Sequence, residues 1–287
     1  MQYNVTQDNS YKLYGGTAIS YICEPAPKSM DSPHFHKDYE LFFLVKGSRK
    51  FFSSNTICSL APSTVMILED GEHHQSTVNL NIPSERYAVY VSKKLMEAIF
   101  KENKELPPLK SVMCFELDDE VFKEIIKHIK NIEKEFAIKD EFSKISIKNH
   151  VTAIVIALFR NRHESVKSSS NFEKNDMRLQ ATVDYIINNY NSKITLEQCA
   201  EMAYMSISHF SRQFRLVTGL NFKEYLNRIR IEKACEILKK ETVRNKTLLA
   251  QEVGFSSGSY FTYVFRSYTG LSPTQYQKKY KNKNGSH

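Results

Sequence analysis

The feature that most constrains this chain is an internal repeat in its C-terminal part. At an offset of 51 residues, Phe210, Phe214, Arg215, Thr218, Gly219, Leu220 and Tyr225 match Phe261, Phe265, Arg266, Thr269, Gly270, Leu271 and Tyr276. Ser206 and Ser208 match Ser257 and Ser259 at the same offset. Ala200 matches Ala250 at an offset of 50, as a one-residue length change in a turn would produce. Self-similarity at a fixed period means one supersecondary unit built twice.

Each copy reads as helix, turn, helix. In the first, Thr195 can cap a short helix over Leu196–Ala203, with Glu197 and Gln198 in its opening turn. Ala200 is small where two helices must cross. Tyr204–Met205 forms the turn, Ser206 caps the next helix, and Gly219 stops it. Phe210, Phe214 and Val217 share one face of that second helix, while Ser208, Ser211, Arg212 and Arg215 lie away from it. A face of short side chains and Arg can approach base edges, where Arg bonds guanine bidentately. In the second copy Leu249–Val253 is the first helix, Gly254–Phe255 the turn and Ser257–Tyr268 the reading helix. Asn221–Glu241 joins the copies as one helix, with Leu226, Ile229, Ala234, Ile237 and Leu238 available for packing. Its 21 residues span roughly 30 Å, close to the ~34 Å between successive major-groove faces on one side of B-DNA.

Charge agrees with a polyanion partner for this part alone. From Lys174 to His287 there are 18 Lys and Arg against 9 Asp and Glu; the remainder of the chain balances at −1, within an overall +8. The 287 residues suffice for two domains, and their 41% hydrophobic and 25% charged shares are those of a soluble globular protein. The sequence shows no secretory signal and no apolar run of membrane-spanning length, so a cytoplasmic location is expected. Five scattered cysteines without a CxxC pair argue against a disulfide framework or a zinc finger.

The N-terminal half changes character. Runs such as Leu41–Val45, Thr64–Leu68 and Tyr87–Val91 read as short strands, and from Ser92 onward helical spacing is expected. Asp119–Phe136 carries an apolar stripe, and Phe142–Phe159 is a second helix. These two helices either face a partner or pack on the sheet. Ser-rich Glu164–Lys174 is the linker candidate. The resulting expectation is a domain over residues 1–163, a linker over 164–174 and a second domain over 175–287.

The stretch ITLEQCAEMAYMSISHFSRQFRLVTGLNFKEYLNRIRIEKACEIL, with AQEVGFSSGSYFTYVFRSYTGLSPTQY, resembles the AraC/XylS-type bacterial transcription regulators over about Asp176 to Tyr280. The resemblance implies that Ser208, Ser211 and Arg212, with His209 beside them, read bases in the first unit, and Ser259, Thr262 and Tyr263 in the second. Arg215 and Arg266 are the phosphate contacts. Two positions depart from the family. Tyr263 stands where Arg is frequent, so the first unit is expected to dominate specificity. Lys246 stands where an aliphatic side chain is usually buried, so Thr247 is the expected cap of a frayed helix.

His34, His36 and Glu40 followed by Gly47 fit HxHx3Ex6G, and Gly71-Glu72-His73-His74 lies further on; both resemble cupin motifs. Arg86–Tyr90 resembles the late strands of such a barrel. Alternate residues on a strand share a face, so His34 and His36 can both point inward. With Glu40 and His74 they form either a first shell for a transition metal or a hydrogen-bonded polar group contacting a small organic effector. The second reading is taken forward, with no metal, cofactor or catalytic residue.

The expected class is α+β in two domains: an N-terminal cupin-like β-barrel with following helices, then an all-α domain of two helix-turn-helix units joined by a long helix. The expected function is an effector-responsive regulator that binds a double-stranded DNA operator and activates metabolic genes of carbohydrate type. Its expected partners are a second copy in a homodimer and RNA polymerase, with no membrane. The alternatives are a metal-dependent cupin enzyme with a DNA-binding appendage and a regulator without an effector.

Overall fold

The computed structural model describes residues 6–7, 11–25, 27, 29, 33–78, 82–161, 174–240 and 245–281. The chain forms two compact units, Val5–Glu173 and Lys174–His287.

The first unit runs β1 (Thr6–Gln7), β2 (Thr17–Glu24), β3 (His34–Phe35), β4 (Tyr39–Lys46), β5 (Arg49–Ser53), β6 (Thr56–Leu60), β7 (Thr64–Leu68), β8 (His74–Val78) and β9 (Ser84–Val91), then α1 (Lys93–Glu102), β10 (Val112–Glu116), α2 (Asp119–Ile138) and α3 (Ser143–Arg160). The strands form two five-stranded sheets, ordered β1-β3-β8-β5-β6 and β10-β7-β4-β9-β2. Strand β4 shows why its sequence is a continuous apolar run. Phe42 and Leu44 point into the space between the sheets, against Phe51, Leu60 and Met66. Leu41 and Phe43 point the other way, into a core with Ile125, Ile129, Ile132, Val151 and Ile154 from α2 and α3. A strand buried on both faces needs apolar residues at every position. The two helices therefore pack on the sheet.

One expectation fails here. Helical structure does not run on uninterrupted from Ser92, because β10 adds to the sheet edge beside β7, from Val112↔Leu68 to Glu116↔Thr64. Its five residues lack the apolar–polar alternation that would reveal a strand in isolation.

The second unit is helical: α4 (Lys174–Asn188), α5 (Leu196–Met202), α6 (Ile207–Thr218), α7 (Phe222–Lys240), α8 (Lys246–Glu252), α9 (Gly258–Thr269) and α10 (Pro273–Lys281). The expected linker falls outside the described residues except for Lys174, which begins α4. Helix α7 has 19 residues, so it is about 28 Å long. Among the described residues, no helix is long and apolar enough to cross a membrane. All five cysteines are free thiols.

Candidate nucleic-acid interface and buried histidine cluster

The repeat in sequence is a repeat in bonding. Ser206 Oγ accepts from His209 N at 3.3 Å, and Ser257 Oγ from Tyr260 N at 3.3 Å. Each is an N-cap, of the kind whose loss costs about 1 kcal/mol. At the far ends Gly219 (φ 74°) and Gly270 (φ 72°) take the left-handed conformation, and their amides donate to Arg215 O and Arg266 O, both at 2.9 Å. Thr218 Oγ1 donates to Phe214 O at 2.7 Å and accepts from Leu220 N at 3.2 Å. Thr269 Oγ1 does the same with Phe265 O and Leu271 N, at 2.9 and 3.2 Å. Edge-to-face ring pairs, Phe214–Tyr225 at 5.3 Å and Phe265–Tyr276 at 5.4 Å, complete the match. These repeated Phe, Thr, Gly and Tyr residues hold each reading helix on its neighbours.

The faces left over are the candidate reading surfaces. Ser208, Arg212 and Arg215 are exposed on α6, with His209 and Ser211 half-buried beside them. On α9, Ser259, Thr262, Tyr263 and Arg266 are exposed, Tyr263 at 63%. Thr262 spends its hydroxyl proton on Gly258 O at 2.9 Å, which leaves its oxygen lone pairs and methyl outward.

Helix α5 opens with the expected Thr195 cap, closed into a capping box by Gln198. Helix α8 corrects the expectation for the second unit. Asn245, not Thr247, is the cap: its Oδ1 accepts from Thr247 N at 2.9 Å and Leu248 N at 3.2 Å. Asn is at least as good a cap as Thr and sits two residues earlier, so it gathers the free amides first. Lys246 is then the first helical residue. Its stem is half-buried while its ammonium reaches Gln277 Oε1 at 2.6 Å. The helix has seven residues, as α5 does, so Lys246 does not shorten it.

Sequence reasoning missed a second link between the units. Arg230 of α7 donates from Nε to Tyr190 O at 2.7 Å and from Nη2 to Ser192 O at 2.9 Å, while its guanidinium lies over Phe255 at 5.6 Å. Burial lowers its pKa. Gly254, the turn residue of the second unit, sits against the same loop, with the place of a Cβ only 2.7 Å from Tyr190 O. The loop after α4 thus bears on the turn before α9. The sequence gives no local sign of this contact, because Tyr190 and Ser192 lie 40 and 38 residues before Arg230. On the other flank Asn227 Nδ2 donates to the Tyr260 hydroxyl at 3.1 Å, and the Tyr268 hydroxyl donates to Glu224 O at 2.9 Å.

In the sheet unit, the four polar residues singled out from sequence meet. His34 pairs with His74 across β3 and β8, and the ligand atoms of His34, His36 and His74 lie within 4.8 Å of one another. Glu40 Oε2 is 3.0 Å from His36 Nε2 and 3.3 Å from His74 Nε2. His36, Glu40 and His74 are each at most 4% exposed. Burial pushes the Glu40 carboxyl up, but the hydrogen bonds from His36 and His74 outweigh it and hold it well below the usual carboxylate range. A carboxylate among three imidazoles is a donor set that suits a divalent transition metal. It is equally a set in which one carboxylate oxygen pairs with two imidazoles. Tyr90 packs on His36 at 4.9 Å between ring centres, and Tyr11 stacks on Tyr90 at 3.8 Å.

Sequence reasoning also missed Arg49. It follows Gly47 at the start of β5 and shares a face of that strand with Phe51 and Ser53. Phe51 points into the space between the sheets, so Arg49 does too; the alternation alone could have placed it.

The family model described as AraC-like ligand binding domain matches residues 21–138, and the one described as helix-turn-helix domain matches residues 199–279. The chain is 24% identical over 259 residues to the HTH-type transcriptional regulator YdiP of Escherichia coli (strain K12), covering 89% of this chain and 84% of that protein. It is 36% identical over 101 residues to the HTH-type transcriptional regulator YijO of the same strain, covering 35% of each. Among solved structures, ToxT from Vibrio cholerae is 13% identical with a TM-score of 0.35, over 91% of this chain and 97% of that one.

Proposed function

The chain belongs to the AraC family of transcription regulators, and from that premise we propose that it is an effector-responsive activator of metabolic genes of carbohydrate type. It is a DNA-binding regulator with a ligand-binding domain, and not an enzyme. The observation that carries the reading is the duplicated reading helix. Two copies of one bonded frame each leave a Ser/Arg or Ser/Thr/Tyr face exposed, on the half of the chain that holds the net positive charge. In this reading Ser208, His209, Ser211 and Arg212, with Ser259, Thr262 and Tyr263, contact base edges, while Arg215 and Arg266 contact phosphate. Helix α7 sets them about one groove repeat apart.

The effector contacts His34, His36, Glu40 and His74, and its binding shifts the population competent for operator binding. A domain over 1–163, a linker over 164–174 and a DNA-binding domain over 175–287 carry these roles. The regulator acts in the cytoplasm as a homodimer and recruits RNA polymerase.

The test is binding of the full chain to DNA from upstream of its own gene, titrated at several salt concentrations. With the two phosphate contacts named, affinity should fall by at least about tenfold between 50 and 200 mM salt. Salt-independent binding, or equal affinity for unrelated DNA, would sink the reading.

A further inference from the structure

Among the described residues between the two sheets, the histidine group and a buried arginine lie at opposite ends of an aromatic pair. At one end lie His34, His36, His74 and Glu40. In the middle, Phe42 and Phe51 meet edge to face at 4.8 Å, with Phe51 6.1 Å from the His74 ring. At the other end lies Arg49, 2% exposed, its guanidinium 5.8 Å from the centre of Phe42. The register fixes this order: Ser53↔His74, Phe51↔Ser76 and Arg49↔Val78 follow one another along β5 and β8.

Arg49 is only partly satisfied. Its Nη1 donates to Ser76 Oγ at 2.8 Å, while Nε and Nη2 are buried with no hydrogen-bond partner. The nearby carboxylates are committed elsewhere: Glu24 pairs with Arg86 at 3.0 Å, and Glu40 with the two imidazoles. Burial, and then Arg86, push the guanidinium down to about 10, still charged at neutral pH. A buried charge lacking its partner is strongly unfavourable, and folded proteins retain one where something binds it. The unused atoms are not a random pair. Nε–H and Nη2–H form one edge of the guanidinium and point the same way, the two-donor fork that a carboxylate bridges with both oxygens.

We propose that the Nε/Nη2 edge of Arg49 is the anchor for a carboxylate on the effector, whose body lies along Phe42 and Phe51 towards the histidine cluster. The proposal deepens the effector-responsive reading and rests on it: it assigns the effector to the organic carboxylic acids and gives Arg49 the role of selecting them. Both donor atoms are shielded from water, so a carboxylate must displace packing to reach them. That displacement links occupancy to a change in the sheets. Neutral sugars, lacking a planar anion, leave the fork unfilled.

The test is thermal melting of the full chain with sodium acetate, benzoate or galacturonate against sodium chloride at equal ionic strength. Acetamide, benzamide and galactose are the matched neutral compounds. The expected result is a rise of several degrees with at least one carboxylate and none with its neutral partner. Arg49→Lys keeps the charge but not the fork, and should weaken that carboxylate at least about tenfold. Arg49→Met should abolish the shift, and without ligand should melt no lower than the wild type. If Arg49→Met does not fold, Arg49→Lys carries the comparison. A shift that survives in Arg49→Lys undiminished overturns the proposal. So does stabilisation by galactose with none by any carboxylate, which leaves the effector-responsive reading standing. No shift with any compound removes both, while operator binding on the same samples reports separately on the DNA-binding function.

Discussion

The two helix-turn-helix units are nearly identical inside and differ in what surrounds their turns. In the first, the turn residue is Tyr204, in the left-handed region at φ 55° and 79% exposed, touched by Arg178 from α4 at 4.8 Å. In the second, the equivalent residue is Gly254, at φ 90°, pressed between Tyr190 O and the Arg230 guanidinium. The reading helices differ likewise. Positions 260 and 268 of α9 are tyrosines bonded to α7, whereas their counterparts at the repeat offset are His209 and Val217. The contrast teaches that both units share the frame that makes each one, while the second adds hydrogen bonds to α7 and to the α4 loop that have no counterpart at the same positions of the first. The first unit has the exposed Arg212 where the second has Tyr263, and the freer turn.

The largest effect should come from the buried turn. Gly254→Ala adds a Cβ to a left-handed residue, 2.7 Å from a carbonyl oxygen and 2.9 Å from Arg230 Nε. Strain and overpacking together should cost about 3 kcal/mol. Gly270→Ala is the control: its φ is +72°, but its Cβ would meet nothing within 4 Å, so it should cost about 1 kcal/mol from the backbone alone. Urea denaturation followed by helical circular dichroism reads both. Equal losses would mean that the packing of Gly254 against the α4 loop contributes nothing.

That difference between the turns marks the limit of what sequence shows. Caps and stops were legible, because Thr195, Ser206, Ser257, Gly219 and Gly270 act within a few residues of themselves. So was the meeting of His34, His36, Glu40 and His74, through a spaced motif and strand alternation. The Asn245 cap was not, since two polar residues two apart compete for the same amides and only geometry decides. Strand β10 and the Arg230 latch were illegible for another reason. Each gains its meaning from a partner distant in sequence, β7 in one case and Tyr190–Ser192 in the other.

The second effect tests which unit reads. Arg212→Ala removes the side chain best suited to guanine, and should cost about 1–3 kcal/mol of operator affinity, roughly 5- to 150-fold. Tyr263→Ala should cost less than about tenfold, since a tyrosine there offers stacking and one hydroxyl. Titrating both variants on one operator checks the order; a larger loss for Tyr263→Ala reverses the assignment of the dominant unit.

The third concerns spacing. Arg230→Met keeps an apolar stem but removes the guanidinium over Phe255 and two charge-assisted bonds to the α4 loop, a loss of about 1.5 kcal/mol or more in the energy that holds the second unit in place. On operators whose half-sites are moved apart by one base pair, the wild type should discriminate against the altered spacing more sharply than the variant. Identical discrimination would show that α7 alone sets the distance between the reading helices.

The smallest effect has the opposite sign and the exposed turn as its site. Tyr204 occupies a conformation that costs a non-glycine residue about 1 kcal/mol or more. Its ring returns part of that through Arg178, but an exposed cation–π contact is worth only about 0.5–1 kcal/mol. Tyr204→Gly therefore trades a larger strain for a smaller contact. The residue's own amide keeps its bond to Glu201 O, and the following amide, Met205 N, its bond to Ala200 O, as Phe255 N does to Ala250 O in the unit that already has glycine. The variant should gain about 0.5 kcal/mol in urea denaturation, with DNA affinity unchanged. A loss of stability would mean that the Arg178 contact outweighs the backbone strain, and that the first turn is anchored to α4 as firmly as the second is to its loop.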